Sequence, residues 1–508
     1  MKSRILMRLI AVGVLTILSF SGNLAAQEVA APRKKAEHHH YKFIDLGTLG
    51  GPQSYGDAGH GAANINNHGI AVGVADTNIP DPFYPNYNPV FSGLIGSYPY
   101  IYHAFITHDG TLLDLGGLPG GTNSEVSYIT ENGLVSGQAL NGSIDPLTGY
   151  PAENAVLWKD GRIINLGTLG GYESGGGRVN SRGQIAGYSD NMTPDQYSLL
   201  GFPTETRAFL WDGQNGMQDI GTLGGPDAFA FAVNERGQVV GFSYPGFTPT
   251  SNCFPLVTDG FVWEKNTGMT DLGTLGGTCT LPGDINNAGE VVGSSNLAGD
   301  LISHIFVWIA PGPMRDLGSA LGGSCSFASQ MNEAGEFVGQ ACTARDQGLH
   351  AYIRKNGLFA DLGTLPGLDD TCIGAFGINA RGQATGQAVE NFCSGPRAHA
   401  FLWENGDMID LNAFVPQGVG ITLTEVEQIN DRGEMFGGGT LTNGESRAFL
   451  LIPCDDDAAA VDSCMACHSS TCCFKGAKFR CIRSTPMARL SSSEKCLECF
   501  AKTGVYSP

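Results

Sequence analysis

The chain has 508 residues and a formal net charge of −20, because 49 acidic side chains stand against 29 basic ones. Such an acidic surface repels phosphate backbones, which argues against a nucleic-acid partner. The 73 glycines and the 42% hydrophobic content indicate many short strands joined by tight turns, and not a disordered chain.

The N-terminus has the plan of a cleaved signal peptide. A basic segment, residues 2–8, precedes an apolar run over residues 9–20 and a small-residue stretch that ends at Ala26. This order predicts a signal peptide over residues 1–26 and a linker over 27–40, with a retained anchor as the alternative. The apolar run is too short for an ordinary membrane helix, and no later segment reaches about eighteen uninterrupted apolar residues. We therefore expect export to the periplasm, the cell surface or the medium, and no transmembrane span in the mature protein.

Three histidines, His38 to His40, end this linker. A histidine tract is able to bind a metal, but a basic polar segment just after a signal peptide is more typical of a flexible linker. No metal site is predicted from them.

Three short motifs recur eight times, always in the same order, between residues 41 and 452. The first is DLGTLGG, intact at Asp45–Gly51 and Asp271–Gly277. The second is an Asn-x-x-Gly turn followed by an apolar run that ends in Gly, as in Asn234–Gly241. The third is HAFLW, complete at His399–Trp403. These motifs define eight imperfect tandem repeats of about fifty residues.

Each repeat predicts four short strands when it is divided at its turns. Runs such as Ala208–Trp211 are apolar on both faces, as strands between neighbouring sheets are. The array begins with a lone fourth strand at Tyr41–Leu46 and ends after a third strand at Ala448–Ile452. Pairing the two ends would complete an eighth blade and hide two strand edges. The predicted fold is therefore all-β, an eight-bladed β-propeller over residues 41–452 that exists as a monomeric ring. A seven-bladed ring and an open solenoid are the alternatives.

The combination of HAFLW, DLGTLGG and the Asn-x-x-Gly turn resembles the HAF family of bacterial extracellular repeat proteins over essentially all of residues 41–452. The resemblance implies bacterial export and a repeat fold. The family is defined by its repeat and has no established activity, so it supplies no catalytic residues. Two departures are a third strand at Tyr352–Arg354 that lacks the Trp, and a Cys-rich tail outside the repeat.

The repeated polar residues are predicted to be structural. A histidine opens the HAF motif in four repeats, at His103, His304, His350 and His399. A chemically unique site would not be built eight times, so we expect the repeated Asp and His groups to satisfy turn amides and to tie strands together within each blade. No catalytic residue is predicted.

The variable loops between second and third strands are better candidates for function. They share one face of a propeller with the LGG crossovers, and the longest is predicted over residues 76–102. Aromatic surfaces suit glycan or protein partners, although the same side chains could simply pack the loop down. The candidate ligand-binding residues are Phe83, Tyr84, Tyr87, Tyr98, Tyr100 and Tyr102.

Six cysteines of the ring fall on this same predicted face, either just after a crossover or in a variable loop. Each proposed pair would close a loop of roughly twenty residues. A zinc site is a poorer interpretation, because the ring lacks closely spaced CxxC and HxxxH pairs. The predicted disulfides are Cys253–Cys279, Cys325–Cys342 and Cys372–Cys393.

Residues 453–508 have eight cysteines and form a separate predicted module. A small disulfide-stapled domain without a cofactor is the leading interpretation. Cys464, Cys467 and His468 match the CxxCH pattern of covalent haem, for which Met487 would be an axial ligand. Zinc bound by the CxxC thiolates is a third possibility.

Three functions follow from different classes. The leading one is an exported, non-enzymatic binding protein that presents aromatic loops to a glycan or an extracellular protein. The alternatives are a redox enzyme with covalent haem in the tail, and a polysaccharide hydrolase or lyase. The last would need acidic or histidine residues that are unique to one blade.

Overall fold

The structure is a computed structural model that describes residues 40–56, 64–87, 99–247, 257–368, 372–393 and 395–454. The described residues divide into two compact units: one is Phe43–Leu451, and the other contains the short segments 40–42 and 452–454. Within the second unit the amide of Cys454 donates to the carbonyl of His40 at 2.7 Å. The predicted signal peptide, the linker before residue 40 and the Cys-rich tail after residue 454 lie outside the described residues.

The strands form eight blades of four antiparallel strands each, and blades 6 and 7 are joined into one sheet by a parallel bridge between Leu349 and Cys372. We number the blades in chain order. Blade 1 contains β2 (Gly50–Tyr55), β3 (Val72–Pro80), β4 (Tyr100–His108) and β5 (Thr111–Asp114). Blade 2 contains β6 (Ser124–Ile129), β7 (Val135–Ile144), β8 (Pro151–Lys159) and β9 (Arg162–Asn165). Blade 3 contains β10 (Ser174–Val179), β11 (Ile185–Pro194), β12 (Thr204–Asp212) and β13 (Gly216–Asp219). Blade 4 contains β14 (Ala228–Val233), β15 (Val239–Ser243), β16 (Asp259–Glu264) and β17 (Gly268–Asp271).

The second half of the ring repeats this order. Blade 5 contains β18 (Gly276–Ile285), β19 (Glu290–Leu297), β20 (Ser303–Ile309) and β21 (Arg315–Gly318). Blade 6 contains β22 (Gly322–Met331), β23 (Phe337–Thr343), β24 (Leu349–Lys355) and β25 (Leu358–Asp361). Blade 7 contains β26 (Cys372–Ile378), β27 (Ala384–Val389), β28 (Ala398–Glu404) and β29 (Asp407–Asp410). Short helical segments are α1 (Glu390–Cys393) and the 3-10 turns Ala344–Asp346 and Leu411–Phe414.

Blade 8 is completed by the start of the chain. It contains β30 (Ile421–Ile429), β31 (Met435–Leu441), β32 (Ser446–Pro453) and, as its outer strand, β1 (Tyr41–Asp45). Beside this pairing, the amide of Leu46 donates to the carbonyl of Ala448 at 3.2 Å. The predicted eight-bladed ring, closed from both ends, is therefore confirmed, and the seven-bladed ring and the solenoid are not.

The core is distributed between the blades, because each blade buries both faces against its neighbours. The Phe of the HAF motif is fully buried in this layer, as at Phe261. The Gly that ends the second motif makes room for it: a Cβ on Gly241 would stand 2.8 Å from the Phe261 ring and 2.0 Å from the Phe229 carbonyl. The Gly of the second motif and the Phe of the HAF motif thus pack together as one unit.

The Asn of the second motif links six of the eight blades to the next one. Its Oδ1 accepts hydrogen bonds from backbone amides two and four residues on, as the amides of Arg236 and Gln238 show at Asn234. Its Nδ2 donates to a main-chain carbonyl of the following blade, from Asn234 to Asn286 at 3.0 Å. Equivalent bonds join Asn66 to Thr130, Asn180 to Asn234, Asn332 to Asn379, Asn379 to Asn430, and Asn430 to Asn66. We call this series the Asn belt, and its last bond closes the ring.

The first residue of HAF pairs with the Asp of DLG inside the same blade. The Nδ1 atoms of His103, His304, His350 and His399 lie 2.7–3.0 Å from the carboxylates of Asp114, Asp316, Asp361 and Asp410. Arg207 replaces the histidine in blade 3 and lies 3.0 Å from Asp219. The same carboxylates accept bonds from turn amides, such as Gly116 to Asp114 at 2.7 Å. These repeated groups therefore tie strands and turns together, as expected.

Blade 4 breaks this pairing rule. Its residue at the histidine position is Asp259. The adjacent strand carries Asp271, which pairs with Phe261, two residues after Asp259. Burial, together with the charge of Asp271, raises the pKa of Asp259 to about 6.

Candidate functional site

The connections between second and third strands lie on one face with the crossovers between blades, and we call this the loop face. Near the axis of the ring, side chains of non-adjacent blades bond to one another. Arg178 of blade 3 and Asp284 of blade 5 form an ion pair of 2.8 Å across it, and Arg178 lies over the Tyr128 ring at 5.2 Å. The amide of Gln330 in blade 6 donates to Gln428 in blade 8 at 3.0 Å. These bonds join non-adjacent blades.

The predicted long loop is shorter than expected. Strand β3 continues to Pro80 and β4 begins at Tyr100, with a shift of register between Asp76 and Pro80. Tyr102 is therefore a core residue, 5% exposed, and not a surface aromatic. Tyr100 is half-buried at the start of β4. The strands extend because backbone pairing continues past the shift of register. The proline-rich sequence gives no sign of this continued pairing.

The remaining predicted aromatics divide by exposure. Tyr84 is exposed, whereas Phe83 and Tyr87 are half-buried. The Tyr87 hydroxyl donates to Asp81, and Asn123 of blade 2 donates to the same carboxylate at 2.9 Å. Tyr98 lies outside the described residues. Ligand binding by these side chains stays a prediction.

One repeat position on the loop face distinguishes two parts of the ring. The second residue after the GG crossover is polar in blades 1 to 4, where it accepts a bond from a third-strand amide of the preceding blade. These links run from Ser446 to Gln53, Tyr102 to Asn123, Glu153 to Glu173, and Thr206 to Asp227. The equivalent residue is Cys279 in blade 5, Cys325 in blade 6 and Cys372 in blade 7. We call blades 1 to 4 of the loop face its polar half and blades 5 to 7 its cysteine-bearing half.

Two predicted disulfides are present in the cysteine-bearing half. Cys325 pairs with Cys342, with a Cα separation of 5.0 Å, and Cys372 pairs with Cys393, with 5.2 Å. Cys279 is also disulfide-bonded. Its predicted partner, Cys253, lies outside the described residues.

Three glutamates converge in the polar half, and we call Glu125, Glu153 and Glu173 the carboxyl cluster. Glu125 and Glu173 are 7% and 2% exposed, and Glu153 is half-buried. The Tyr102 hydroxyl donates to Glu125 at 3.0 Å, and the Glu153 amide donates to Glu173 Oε2 at 2.7 Å. Glu153 Oε2 and Glu173 Oε1 are buried and have no hydrogen-bond partner. No ion pair among the described residues reaches any of the three carboxyls.

Aromatic residues flank the carboxyl cluster. The hydroxyl of Tyr188 donates to Gln138, which in turn donates to Glu125. Gly175 makes this reach possible, because a Cβ there would stand 2.4 Å from the Tyr188 hydroxyl oxygen. The Tyr188 ring stacks on Phe229 with centroids 5.0 Å apart.

The cluster holds protons more tightly than ordinary carboxyls do. Burial raises the pKa of Glu173 to about 9; the bond from the Glu153 amide opposes this shift, and the charges of Glu153, Asp190 and Asp145 add to it. Burial and the charge of Glu153 raise the pKa of Glu125, and burial raises that of Glu153. Without a compensating cation the protonated forms are favoured at neutral pH.

Large hydrophobic side chains are exposed mainly on the loop face. Nine of the fourteen such residues that are exposed in the described part of the chain lie between second and third strands or at their ends, all in blades 1 to 5. We call these nine the apolar rim: Ile79, Tyr84, Ile144, Leu147, Met192, Tyr197, Phe247, Leu301 and Ile302.

Sequence reasoning missed the carboxyl cluster because its members occupy different repeat positions. Glu125 and Glu173 follow crossovers in neighbouring blades, whereas Glu153 belongs to the third strand β8. An alignment of the repeats on their crossovers would have shown the change from Gln, Asn, Glu and Asp to Cys, and among the three glutamates it would have singled out Glu173 alone. That signal was available in the sequence.

No family model matches the chain, and no curated protein matches it. The solved structures that align with it include a putative gluconolactonase, at 9% identity and a TM-score of 0.25, covering 49% of this chain and 81% of that one. TolB from Acinetobacter baumannii aligns at 11% identity and a TM-score of 0.30, covering 54% and 64%. A puromycin-hydrolysing peptidase from Mycobacterium tuberculosis aligns at 10% identity and a TM-score of 0.40, covering 78% and 61%. The chain spans less than two thirds of the last two, and similarity this distant carries no argument about activity.

Two further properties of the described residues concern membranes and metals. They contain no helix long and apolar enough to cross a membrane. In the same ranges no group of three or more His, Cys, Asp and Glu side chains is arranged to hold a metal ion. The haem alternative at Cys464, Cys467, His468 and Met487 lies outside these residues and stays a prediction, and so do His38 and His39 of the histidine tract.

Proposed function

We propose that this protein is an exported, non-enzymatic binding protein whose loop face, over blades 1 to 5, is the binding surface. The observation that carries the proposal is the apolar rim. Isolated exposed hydrophobic residues are ordinary, but their concentration on one face of a rigid ring is typical of an interaction site. The signal-peptide pattern and the ring disulfides support export.

The composition of the apolar rim favours a protein over a glycan as the ligand. Ile79, Ile144, Leu147 and Met192 are aliphatic, and such side chains gain most from burial against other apolar surface. Tyr84 and Tyr197 are aromatic residues that suit either ligand. Blades 6 and 7 contribute none of the rim residues, so the expected footprint is off-centre on the ring.

The ring offers a matched pair of variants to test this proposal. One variant changes three rim residues, Ile79→Ser, Leu147→Ser and Met192→Ser. The other changes three exposed hydrophobic residues of outer fourth strands, Leu113, Ile164 and Leu358, to Ser. Both remove the same kind of exposed surface, and neither touches the core.

Each variant should be applied to arrays of cell-surface proteins and glycans, with thermal unfolding as the measure of folding. We expect the rim variant to lose binding by about tenfold or more, since burying one such side chain at an interface is worth about 1.5–3 kcal/mol. The fourth-strand variant should bind as the parent protein does. Equal binding by both variants, or loss in the fourth-strand variant alone, would contradict the proposal.

A further inference from the structure

The carboxyl cluster is a concentration of acidic groups without a counter-charge. Every charged group that raises the pKa of Glu173 is another carboxyl, namely Glu153, Asp190 and Asp145. Ion pairs elsewhere in the described ring neutralise comparable acids, as Arg178 does for Asp284. A buried carboxylate without a partner is costly, so the cluster must hold either protons or a cation from outside.

Unpartnered oxygen atoms point to a missing donor. Glu173 is 2% exposed, yet its Oε1 accepts no hydrogen bond, and Glu153 Oε2 lacks one too. Buried polar atoms in native proteins are nearly always hydrogen-bonded, so such orphans call for an explanation. A group that brings several N–H donors and a positive charge would satisfy both atoms at once.

The side chains around the carboxyl cluster limit the class of cation that fits there. Tyr102 and Tyr188 flank the glutamates, and Tyr188 stacks on Phe229. Carboxylates next to aromatic rings are favourable surroundings for an ammonium group, which is attracted by both. Because Glu125 and Glu173 are almost fully buried, the approaching group must also be compact and carried on a slender chain.

We propose that the carboxyl cluster receives the ammonium group of a lysine side chain presented by a protein that docks on the apolar rim. Lysine combines a compact charge with a flexible four-carbon stem, whereas the guanidinium of arginine is a wide planar fork. The half-buried Glu153 is the point of entry, and the stem would lie against the aliphatic residues Ile144 and Leu147 of blade 2. The inference rests on the proposed function and names the anchor that the partner supplies.

Binding should be linked to the release of protons. The groups that face the cluster from the packed elements are Tyr87 and Tyr102 of blade 1, Asp145 of blade 2, and Tyr188 and Asp190 of blade 3. None of these side chains can carry a positive charge. Glutamates that bind an ammonium must give up protons first, and lysine itself stays charged up to about pH 10. Affinity should therefore rise with pH.

The test uses Nα-acetyl-lysine N-methylamide as the probe, with binding measured by ligand-observed NMR on the full chain. Matched probes are the Nε-acetylated form, the arginine analogue and calcium chloride. We expect the lysine probe to bind, and to bind about tenfold or more tightly at pH 9 than at pH 6, because a group that must ionise costs a factor of ten for each pH unit below its pKa. Equal binding of the acetylated probe, tighter binding of the arginine probe or of calcium, or an affinity that rises with acid would overturn the inference.

Two variants locate the site. Glu153→Gln with Glu173→Gln should abolish binding of the lysine probe, and Glu153→Gln alone, at the most exposed position, provides a check if the double variant unfolds. The control neutralises two exposed turn residues, Asp109→Asn and Asp160→Asn, and should leave probe binding unchanged. Retained binding in the Glu153→Gln and Glu173→Gln variants would overturn the inference.

The failure of this inference is distinguishable from failure of the proposed function. If the rim variant loses its array ligand but the lysine probe never binds, the docking surface stands and the anchor is wrong. If the probe binds while the rim variant keeps its array ligand, the carboxyl cluster is a site but the proposed docking surface is wrong.

Discussion

The blade that breaks the His–Asp pairing rule offers the sharpest test of how the repeats are stabilised. In blade 4, Asp259 occupies the position where six other blades place His or Arg and blade 2 places Asn154. Burial and the charge of Asp271 raise its pKa from 3.8 to about 6. Replacement by Asn removes the like charge and lets an amide donate to Asp271. We therefore expect Asp259→Asn to stabilise the protein.

The magnitude follows from the raised pKa. A shift of this size corresponds to about 3 kcal/mol at 1.36 kcal/mol per pH unit. Asp259 is only partly buried, so screening by solvent reduces the expected gain to about 1 kcal/mol. Since the folded chain holds the proton more tightly than the unfolded chain, stability falls as pH rises from 3.8 to about 6 and stays lower above that window.

The assay is thermal unfolding of the parent and of Asp259→Asn at pH 4, 6 and 8. The variant should gain stability at pH 8, gain less at pH 6 and gain almost nothing at pH 4, where Asp259 is largely protonated. Asp219→Asn is the matched control, because in blade 3 the same change removes the partner of Arg207 and should be destabilising. A gain that is equal at all three pH values, or absent at pH 8, would refute the electrostatic explanation.

Two further predictions concern the joints of the ring. Asn234→Ala should cost about 2–4 kcal/mol in free energy of unfolding, because it removes the acceptor of the Arg236 and Gln238 amides and the bond to the Asn286 carbonyl. Asn443→Ala in an exposed turn should cost under about 0.5 kcal/mol, and equal values in chemical denaturation would contradict a role for the Asn belt. Deletion of β1 should lower the unfolding temperature markedly, since blade 8 loses its outer strand and Phe449 loses its contact with Phe43, 6.1 Å between centroids; unchanged unfolding would mean that closure does not depend on this strand.

Much of the fold could be predicted because its determinants are local and repeated. The Asn-x-x-Gly turn, the apolar third strand and the complementary ends of the array are sufficient to indicate four-stranded blades and a closed ring. The turn-capping role of Asn234 was visible in the same way. Its donation to Asn286 was not, because that bond joins residues 52 positions apart and depends on how blades pack.

The candidate site was harder to predict, for the opposite reason. Its glutamates share no motif, and their proximity arises only when blades 2 and 3 stand side by side. Tyr102 was assigned to a loop because the sequence between β3 and β4 is rich in proline and glycine, yet backbone pairing extends to Pro80 and resumes at Tyr100. The local pattern of hydrophobic and polar residues carries no information on the proximity of the glutamates or on where β3 ends and β4 begins.

The Asn belt has a consequence for how such a chain can evolve. Every one of its bonds runs in the same direction, from an Asn side chain to the main chain of the next blade, so the acceptor does not depend on which side chain stands there; Thr130 accepts as well as Asn430 does. Whole repeats can therefore be duplicated, lost or exchanged without a new joint having to be invented. The loop face lies outside this constraint, and there the repeats differ: blades 2 and 3 carry the glutamates of the carboxyl cluster, and blades 5 to 7 carry the cysteines.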